Sequence, residues 1–301
     1  MVSQQNVPCA ICGVNETRTL FRPRRAVGPV VQCLRCGLVY VNPRERAPWL
    51  DQMPSEADSL MDVWTQPWFE RYVAEAEHKK TNFRRTAVHL MNFGLSDVKS
   101  RPRVLDFGCS IGLFLQVGKE YGWDMYGVET DTAVARYGQE ILGQTIFNGG
   151  LLSARFADNY FDAVVSFQVF EHLPDPAREL DEIYRILCVG GLLAIDVPSI
   201  DNVWYRLLKD RHRHFATPQH IYFYTPATMS MLLERAGFQL VAIDFPPRSL
   251  SFEHVCKHHV GLYSQKLSRL LVGMFSKLGW LGRSVSVNLK DVMCVYARKG
   301  C

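Results

Sequence analysis

Four cysteines near the start of the chain have the spacing of metal ligands. They form two Cys-x-x-Cys pairs, Cys9 with Cys12 and Cys33 with Cys36, and a glycine follows each pair. Four thiolates at this spacing can converge tetrahedrally on Zn²⁺, and such an ion stabilises a segment too short to build its own core. Disulfides and free thiols are the alternatives. Because a site closed by four sulfurs has no open position for water, we predict a structural Zn²⁺.

A second group of residues with chemical potential lies in the segment VLDFGCSIGLFL (104–115). An apolar strand carries Asp106, a turn carries Gly108 and Gly112, and an apolar helix start follows. The glycines let the backbone approach a ligand closely, and the aspartate places a carboxylate where the strand ends. The next short strand, WDMYGVET, finishes in Glu129, which is positioned to accept hydrogen bonds from both hydroxyls of a ribose. Together these features predict a site for an adenosine cofactor.

The glycine spacing separates two classes of nucleotide-binding protein. The motif G-x-G-x-x-G is typical of dinucleotide sites, because it lets a helix N-terminus meet the pyrophosphate. This chain lacks that pattern. Its D-x-G-x-x-x-G resembles the first motif of the class I S-adenosylmethionine-dependent methyltransferases. Ser110 stands where that family usually has a further glycine. The cofactor of that family carries a sulfonium and an amino-acid tail and has no phosphate.

The resemblance extends over roughly residues 101–245. YFDAVVSFQVFEHLPDP (160–176) resembles the fourth strand of the family and its following loop. The segments 179–199 and 225–245 repeat a helix, a glycine stop and a strand, and DVMCVYARKG near the C-terminus resembles the last, antiparallel strand. The resemblance therefore implies an α/β fold with a doubly wound, Rossmann-like sheet of seven strands.

The family also implies which residues contact S-adenosylmethionine. Those expected around the methionine tail and the ribose are Asp106, Gly108, Cys109, Ser110, Gly112, Glu129 and Thr130. Those expected at the adenine, or where the fourth strand ends, are Gly150, Leu151, Phe167 and Gln168. QTIFNGGLLSARFADN (144–159) lacks the acidic residue that many relatives place near the adenine, so that contact stays open.

Histidines are the candidate bases for the implied methyl transfer. A base is needed only if the acceptor must lose a proton, and a neutral imidazole can take a proton near neutral pH. Four histidines lie on loops expected at the carboxyl ends of strands: His172, His212, His214 and His220. His220 is preferred, because QHIYFYT resembles the H-(I/L)-x-x-(F/Y)-(S/T) stretch of sugar-methylating enzymes, where the matching histidine is often proposed as the base. His172 is the second candidate. Either could instead only fix its loop.

The elements that position these groups divide the chain into three parts. Residues 1–46 resemble a zinc ribbon, residues 47–100 form a linker and a helical cap, and residues 101–301 form the cofactor-binding domain. A helical insertion is predicted at about 250–288, before the last strand. Its stretch 260–283 combines apolar residues at helical spacing with lysines and arginines. That helix could lie on a membrane surface, or pack against the core or a second subunit.

The cap is predicted to contain one helix over 67–94, with proline at its start and glycine at its end. In the family, a helix before the first strand often covers the cofactor and helps to form the acceptor pocket. Its aromatic residues could line that pocket or pack in the core: Trp64, Trp68, Phe69 and Tyr72. Residues 47–65 lack periodicity, which is typical of a linker or a loop over the site.

Composition sets few further limits. The chain has 301 residues, 48% of them hydrophobic, so it can bury a full α/β core. A formal net charge of +4 neither demands nor excludes a polyanionic partner. The start of the chain has no apolar leader region, and no stretch reaches transmembrane length, so a soluble, cytoplasmic protein is expected. Basic residues around the cysteine pairs form either a solvated face or an anion-binding patch: Arg18, Arg22, Arg24, Arg25, Arg35, Arg44 and Arg46.

Three functions are compatible with these patterns. The preferred one is a methyltransferase with structural Zn²⁺ that acts on a small molecule such as a sugar, a natural-product intermediate or a glycan precursor. The second is a nucleic-acid methyltransferase that uses the ribbon for recognition. Enzymes that methylate base amines usually carry an N/D-P-P-Y/F loop after the fourth strand, and this chain has FQVF there (167–170). The third is a non-catalytic binding module, which the intact Asp106 and Glu129 disfavour.

Overall fold

The computed structural model describes residues 4–23, 28–45, 63–97, 101–217 and 219–300. The chain begins with a small antiparallel unit of five short strands. They are β1 (Gln4–Gln5), β2 (Thr17–Phe21), β3 (Val30–Cys33), β4 (Val39–Val41) and β5 (Arg44–Glu45). β1 pairs with β5, while β2, β3 and β4 pair in chain order. Most of the predicted linker, together with Arg24, Arg25 and Arg46, lies outside the described residues.

Two helices stand where one was predicted for the cap. Helix α1 (Pro67–Ala74) and helix α2 (Ala76–Asn92) are separated at Glu75, whose φ of −88° and ψ of 8° leave the helical region. A 3₁₀ turn at Leu95–Asp97 follows. The carboxylate of Glu75 accepts a hydrogen bond from the Ser251 hydroxyl. The prediction of one continuous helix is therefore wrong at this residue, where the break aims a polar side chain at a distant part of the chain.

A seven-stranded sheet forms the centre of the molecule. Its strands are β6 (Arg103–Phe107), β7 (Asp124–Glu129), β8 (Ile146–Asn148), β9 (Phe161–Phe167), β10 (Leu187–Pro198), β12 (Phe238–Asp244) and β15 (Val292–Lys299); β11 (Tyr222–Phe223) belongs to another sheet. The order is β12-β15-β10-β9-β6-β7-β8, with β15 antiparallel to both neighbours and every other pair parallel. β9 is buried along nearly its whole length, as expected for a parallel strand covered on both faces. The prediction of a doubly wound sheet with an antiparallel last strand is confirmed.

Helices connect the strands of this sheet. They are α3 (Leu113–Glu120), α4 (Thr132–Arg136) with a π-helical turn at Tyr137–Ile141, α5 (Leu151–Ala154), α6 (Pro176–Ile186), α7 (Val203–Leu208) and α8 (Pro226–Arg235). 3₁₀ turns lie at Lys209–Arg211 and Arg213–Ala216. Side-chain caps fix several helix starts, such as Thr225 with Thr228 in a capping box at α8. Because the strands are parallel, the loops that follow β6, β7 and β9 meet at one edge of the sheet.

The N-terminal unit is hydrogen-bonded into the larger domain. β11 pairs antiparallel with β4, so that Tyr222 lies opposite Tyr40. Arg44 donates to the Pro174 carbonyl at 2.8 Å and its guanidinium lies over the Tyr222 ring. Buried side chains of this unit, including Cys33 and Tyr40, belong to the same hydrophobic cluster as strands β6 and β9. The unit and the strand Tyr222–Phe223 therefore stabilise each other.

The insertion before the last strand mixes helices with a two-stranded sheet. β13 (Arg248–Ser251) pairs antiparallel with β14 (Ser284–Val287), and between them lie α9 (Phe252–His254), a π-helical turn (Val255–Val260), α10 (Gly261–Tyr263) and α11 (Gln265–Lys277). α11 leaves Leu267, Leu270 and Met274 exposed, and its contact with a membrane stays a prediction. Within the described part of the chain, no helix is long and apolar enough to cross a bilayer.

Candidate active site

A cavity of about 440 Å³ opens at the sheet edge where β6, β7 and β9 end, and we call it the donor cavity. Most of the predicted cofactor contacts line it: Asp106, Gly108, Cys109, Ser110, Glu129, Thr130, Phe167 and Gln168. His172 lies on the same wall. The structure therefore brings together residues that are far apart in the sequence but follow neighbouring strands.

Glu129 organises the rim of the donor cavity through its carboxylate. One oxygen accepts the backbone N–H of Ser110 at 2.9 Å, and the other accepts the backbone N–H of Asp131 at 2.9 Å. Burial raises the pKa of the Glu129 carboxyl, while these backbone hydrogen bonds oppose the rise. The carboxylate thus joins the loops after β6 and β7 and holds its remaining lone pairs toward the cavity wall.

Asp106 contributes a second buried carboxyl to the same cavity. It is 2% exposed, and its Oδ1 has no hydrogen-bond partner among the described residues. Burial raises its pKa well above the usual range, and the nearby charge of Glu129 adds to this effect. A buried acceptor without a partner is costly unless a ligand supplies a donor or a positive charge. The ammonium and sulfonium of S-adenosylmethionine have the charge that fits this pair of carboxyls.

The turn after β6 has a backbone conformation that explains its residue types. Gly108 has a φ of +77°, and a Cβ added there would lie 2.4 Å from Cγ2 of Val169. Ser110 has a φ of +51°, in the left-handed region that disfavours most side chains. That conformation accounts for the glycine that related sequences have at this position. The turn keeps both the close approach of the backbone and the hydrogen bond to Glu129.

Three predicted cofactor residues, Gly112, Gly150 and Leu151, are outside the lining of the donor cavity. Gly112 precedes α3 as its N-cap in a left-handed conformation, with a φ of +81°. Gly150 is the N-cap of α5, and Leu151 is fully buried in the core. Within the described residues, none of the three is in the cavity lining. Their contact with a bound cofactor stays a prediction.

A second cavity of about 420 Å³ adjoins the donor cavity, and we call it the acceptor cavity. Five residues line both cavities: Tyr72, Lys79, Asn82, Gln168 and Arg248. They come from the cap helices, the end of β9 and the start of β13. The acceptor cavity therefore meets the donor cavity along a shared wall that no continuous sequence motif builds.

The aromatic residues of the cap divide between this cavity and the core. Trp68 and Tyr72 line the acceptor cavity. Phe69 is 2% exposed and belongs to a buried cluster, while Trp64 donates its indole N–H to the Ala133 carbonyl at 2.8 Å. Two of the four candidates thus lie where an acceptor could bind, and two anchor α1 to the domain.

Sequence analysis missed the polar part of the shared wall. Lys79 lies on α2, with its ammonium 4.2 Å from the centre of the Tyr72 ring. Arg248 lies 3.7 Å from the buried carboxylate of Asp196, which also accepts a hydrogen bond from Gln168 at 2.6 Å. Burial raises the pKa of Asp196 and lowers that of Lys79 to about 8. Two features of the sequence could have indicated this wall: Lys79 at a half-buried helix position, and Asp196 within the apolar strand β10.

The rings of the four candidate histidines pack against one another in the order His172, His220, His214 and His212. Ring centres lie 4.8 Å apart for His172 and His220, 5.9 Å for His220 and His214, and 5.0 Å for His214 and His212. Burial lowers the pKa of His220 to about 3, so this imidazole is neutral at physiological pH. Among the described residues, only His172 of the four lines the donor cavity. His220 lies behind it and lines neither cavity.

Glu171 and Gln219 fix the orientation of His172. Nδ1 of His172 and the Gln219 carbonyl are 3.0 Å apart, which is a hydrogen bond when Nδ1 carries the proton. Nε2 then faces the carboxyl of Glu171 at 3.9 Å. Glu171 is fully buried, and burial raises its pKa to about 8. In that tautomer the lone pair of the imidazole is on Nε2, which lies beside the Glu171 carboxyl but beyond hydrogen-bond distance.

The four N-terminal cysteines converge as predicted from their spacing. One pair of sulfurs, in Cys9 and Cys36, lies 3.4 Å apart, and the other pair, in Cys12 and Cys33, lies 3.5 Å apart. All four sulfurs are within 4.8 Å of one another. These separations are too long for disulfides, whose sulfurs lie about 2 Å apart, and they fit a tetrahedral set of thiolate ligands.

Comparison with known proteins agrees with this geometry. The family profile described as "Methyltransferase domain" matches residues 77–243, more than half of the chain. A Mycolicibacterium smegmatis protein, named as a probable S-adenosylmethionine-dependent methyltransferase, is 30% identical over 138 residues, which cover 46% of this chain. The aligned part is 52% of that relative, so this chain spans about half of its length.

Two further similarities extend over more of the chain. A ubiquinone biosynthesis O-methyltransferase of Psychrobacter arcticus is 28% identical over 207 residues, covering 60% of this chain and 73% of that protein. The crystal structure of a SAM-dependent methyltransferase from Archaeoglobus fulgidus superimposes with a TM-score of 0.53 at 20% identity. It covers 78% of this chain and 100% of that one, and it shows the shared fold.

Proposed function

Because the chain belongs to the family described as "Methyltransferase domain", we propose that it transfers the methyl group of S-adenosylmethionine to a small-molecule acceptor. One observation carries the proposal: the donor cavity and the acceptor cavity adjoin along a shared wall. Methyl transfer needs the donor carbon and the acceptor atom in near-attack geometry, and adjoining cavities place the two reactants side by side. Acceptors of this size include sugars, natural-product intermediates and glycan precursors.

Asp106 and Glu129 are the proposed holders of the donor. The carboxyl of Asp106 would pair with a cationic group, and that of Glu129 would accept from the ribose hydroxyls. Gly108 and Ser110 would present the backbone to the ligand, and Phe167 would pack against it. When bound, S-adenosylmethionine supplies a methyl group on a positively charged sulfur. The buried Oδ1 of Asp106, which has no donor among the described residues, supports this assignment.

His172 is the proposed general base. Its ring lies on the donor-cavity wall, and its neighbour Gln168 lines both cavities. Burial lowers the pKa of His172, so the imidazole is neutral and can accept a proton that leaves the acceptor. His220, the candidate favoured by the sequence motif, is proposed as a positioning residue, because its buried ring packs edge-on against His172. The base acts only if the acceptor atom carries a proton that must be lost.

Zn²⁺ is proposed as a structural ion held by Cys9, Cys12, Cys33 and Cys36. The convergence of their sulfurs and the lack of any oxygen or nitrogen ligand among them support a closed tetrahedral site. The unit carries few buried residues of its own and shares its core with the larger domain. The ion would therefore stabilise the strand β4, which pairs with β11, the strand that begins two residues after His220.

The test is a screen for transfer of radiolabelled methyl from S-adenosylmethionine into fractionated small molecules and RNA. We expect label in a small-molecule fraction, and at least about 100-fold less with Glu129→Ala, since donor binding is lost. Glu140→Ala, which removes an exposed carboxylate that lines neither cavity, is the matched control and should retain labelling. Label confined to RNA would overturn the proposal. No label together with no binding of S-adenosylhomocysteine would support a non-catalytic module.

A further inference from the structure

The acceptor cavity has a strongly unequal charge. Its lining includes five lysine and arginine side chains but only two carboxylates, Glu75 and Asp291. Asp291 is already bound to Arg213, with Nε of the arginine 2.7 Å from Oδ2. Glu75 accepts a hydrogen bond from Ser251. The carboxylates of the lining are thus engaged by groups of the protein itself, and the cationic excess faces the cavity.

The excess is concentrated at the wall that the acceptor cavity shares with the donor cavity. Lys79 and Arg248 both line this wall. Each positive charge lowers the pKa of a neighbouring group, Arg248 that of Lys79 and Lys79 that of Asp196. Arg248 also lowers the pKa of Arg213. Burial is the larger cause of the lowered pKa of Lys79 and of Arg213. Lys79 and Arg248 are therefore two cations held near each other in a partly buried place, where a bound anion between them would be stabilised.

Asp196 forms an ion pair with Arg248 but not a hydrogen bond. It is 7% exposed, and its Oδ1 lies 3.7 Å from the Arg248 guanidinium, beyond hydrogen-bond distance. That same oxygen accepts the side-chain amide of Gln168 at 2.6 Å. Among the described residues, no carboxylate therefore lies at hydrogen-bond distance from the guanidinium of Arg248, and its N–H groups can donate to a ligand. Its fork of N–H groups is suited to bind a planar or tetrahedral oxyanion.

Apolar side chains form the rest of the acceptor cavity. Trp68 lies at one side, and Leu250, Val287 and Leu289 lie at another. A ring or short chain could pack between these groups while a charged substituent reached the shared wall. The cavity of about 420 Å³ is within the range of small-molecule sites, and too small for a nucleic-acid duplex.

From this arrangement we infer that the methyl acceptor carries an oxyanion, a carboxylate or a phosphate, which Lys79 and Arg248 bind at the wall between the two cavities. The inference rests on the proposed function, because it names the chemical class of that reaction's acceptor. The anion would orient the acceptor and place its nucleophilic atom toward the donor cavity. Binding the anion would also relieve the repulsion between the lysine and the arginine.

The test compares three probes with one aromatic body: benzoate, phenyl phosphate and neutral benzamide. Binding to the protein saturated with S-adenosylhomocysteine is measured by calorimetry. We expect benzoate or phenyl phosphate to bind at least about tenfold more tightly than benzamide, with the better of the two identifying the oxyanion. If benzamide binds as tightly as both anions, or if no probe binds, the inference is wrong.

Variants locate the anion on the shared wall. Arg248→Gln and Lys79→Met should each weaken binding of the favoured anion about tenfold and leave that of benzamide within twofold. Arg84→Gln is the control, because Arg84 lies on the same helix as Lys79 but pairs with Glu120 at the surface. Unchanged anion binding in both wall variants would contradict the inference. Failure to bind S-adenosylhomocysteine at all would instead contradict the proposed function, so the two failures are distinguishable.

Discussion

The donor cavity and the acceptor cavity lie side by side but are built in different ways. The donor cavity is formed by loops that follow three strands of one parallel sheet, and each loop carries a short, recognisable motif. The acceptor cavity is formed by the cap helices, the end of β9 and the insertion around β13 and β14, which are separated by more than two hundred residues. The comparison shows that a ligand site can be predicted from sequence where the backbone topology itself gathers the residues.

The largest expected effect tests the support of the donor cavity by the N-terminal unit, whose Arg44 donates to the carbonyl of Pro174 on that cavity's wall. Cys33→Ser should abolish stoichiometric zinc and lower the unfolding midpoint by at least about 5 °C, since structural zinc contributes several kcal/mol to folding. Metal analysis and calorimetry measure both quantities. Because β11 and Arg44 hydrogen-bond to the segment 171–174, part of which lines the donor cavity, we expect binding of S-adenosylhomocysteine to fall more than binding in the acceptor cavity.

Cys188→Ser is the matched control for zinc. This thiol lies outside the four-cysteine cluster and donates to the Asn159 carbonyl. The variant should retain zinc and the unfolding midpoint of the parent protein. An unchanged zinc content in Cys33→Ser would contradict the proposed metal site. Equal losses of ligand binding in the two cavities would show that the N-terminal unit does not support one more than the other.

Glu129→Ala should have the next largest effect, and only on the donor side. Loss of the carboxylate leaves the backbone N–H groups of Ser110 and Asp131 without their acceptor and removes the ribose contact. We expect the dissociation constant of S-adenosylhomocysteine to rise about 100-fold, or about 2.7 kcal/mol, in calorimetric titrations. Lys290→Asn, in the acceptor cavity, should leave it within twofold. A comparable loss in the control would show that the two cavities are not separable.

Gly108→Ala should weaken donor binding about tenfold, because it combines two costs. The positive φ disfavours alanine by about 1 kcal/mol, and the new Cβ would collide with Val169. Gly122→Ala is the control, since that glycine also has a positive φ, +78°, and nothing within 4 Å of an added Cβ, but lies outside the donor-cavity lining, so donor binding should not change. Adding Val169→Ala to Gly108→Ala should recover part of the binding. No recovery would indicate that the backbone conformation alone is responsible.

The smallest expected effect is a dependence of donor binding on pH. Burial raises the pKa of Asp106 and of Glu129, and a carboxyl whose pKa is raised stays protonated to higher pH. A ligand ammonium pairs with the ionised form, so affinity for S-adenosylhomocysteine should increase with pH, by about tenfold or less between pH 6 and 8. Titrations in buffers of different ionisation enthalpy should detect proton release. Asp106→Asn should flatten the dependence, and an affinity that falls with rising pH would refute the explanation.

Sequence patterns were informative where the local backbone and the sheet topology decide the outcome. The apolar runs of β6 and β9, the glycine turn at Gly108 and the carboxylate at Glu129 predicted the sheet and the donor cavity, because parallel strands bring their carboxyl ends to one edge. The helix over 67–94 was predicted in extent but not in its break at Glu75, whose partner, Ser251, is remote in the chain.

The histidines show the limit of a local motif. QHIYFYT singled out His220, and the structure places that residue under His172, on a segment held by pairing between β11 and β4. Which of two neighbouring imidazoles faces a cavity depends on how the N-terminal unit packs against the domain. A pattern within one loop contains no information about that packing.

Local patterns in the sequence were enough to predict the parallel sheet, the four-cysteine cluster and the carboxyls of the donor cavity. Hydrophobic periodicity, glycine spacing and cysteine spacing each involve residues close together in the sequence. The local structures that they favour therefore depend little on the rest of the fold. The position of Lys79 and Arg248 on the shared wall and the burial of His220, in contrast, depend on the tertiary structure. Burial and electrostatic repulsion between such groups arise from contacts across long sequence separations, which exist only after the chain has folded.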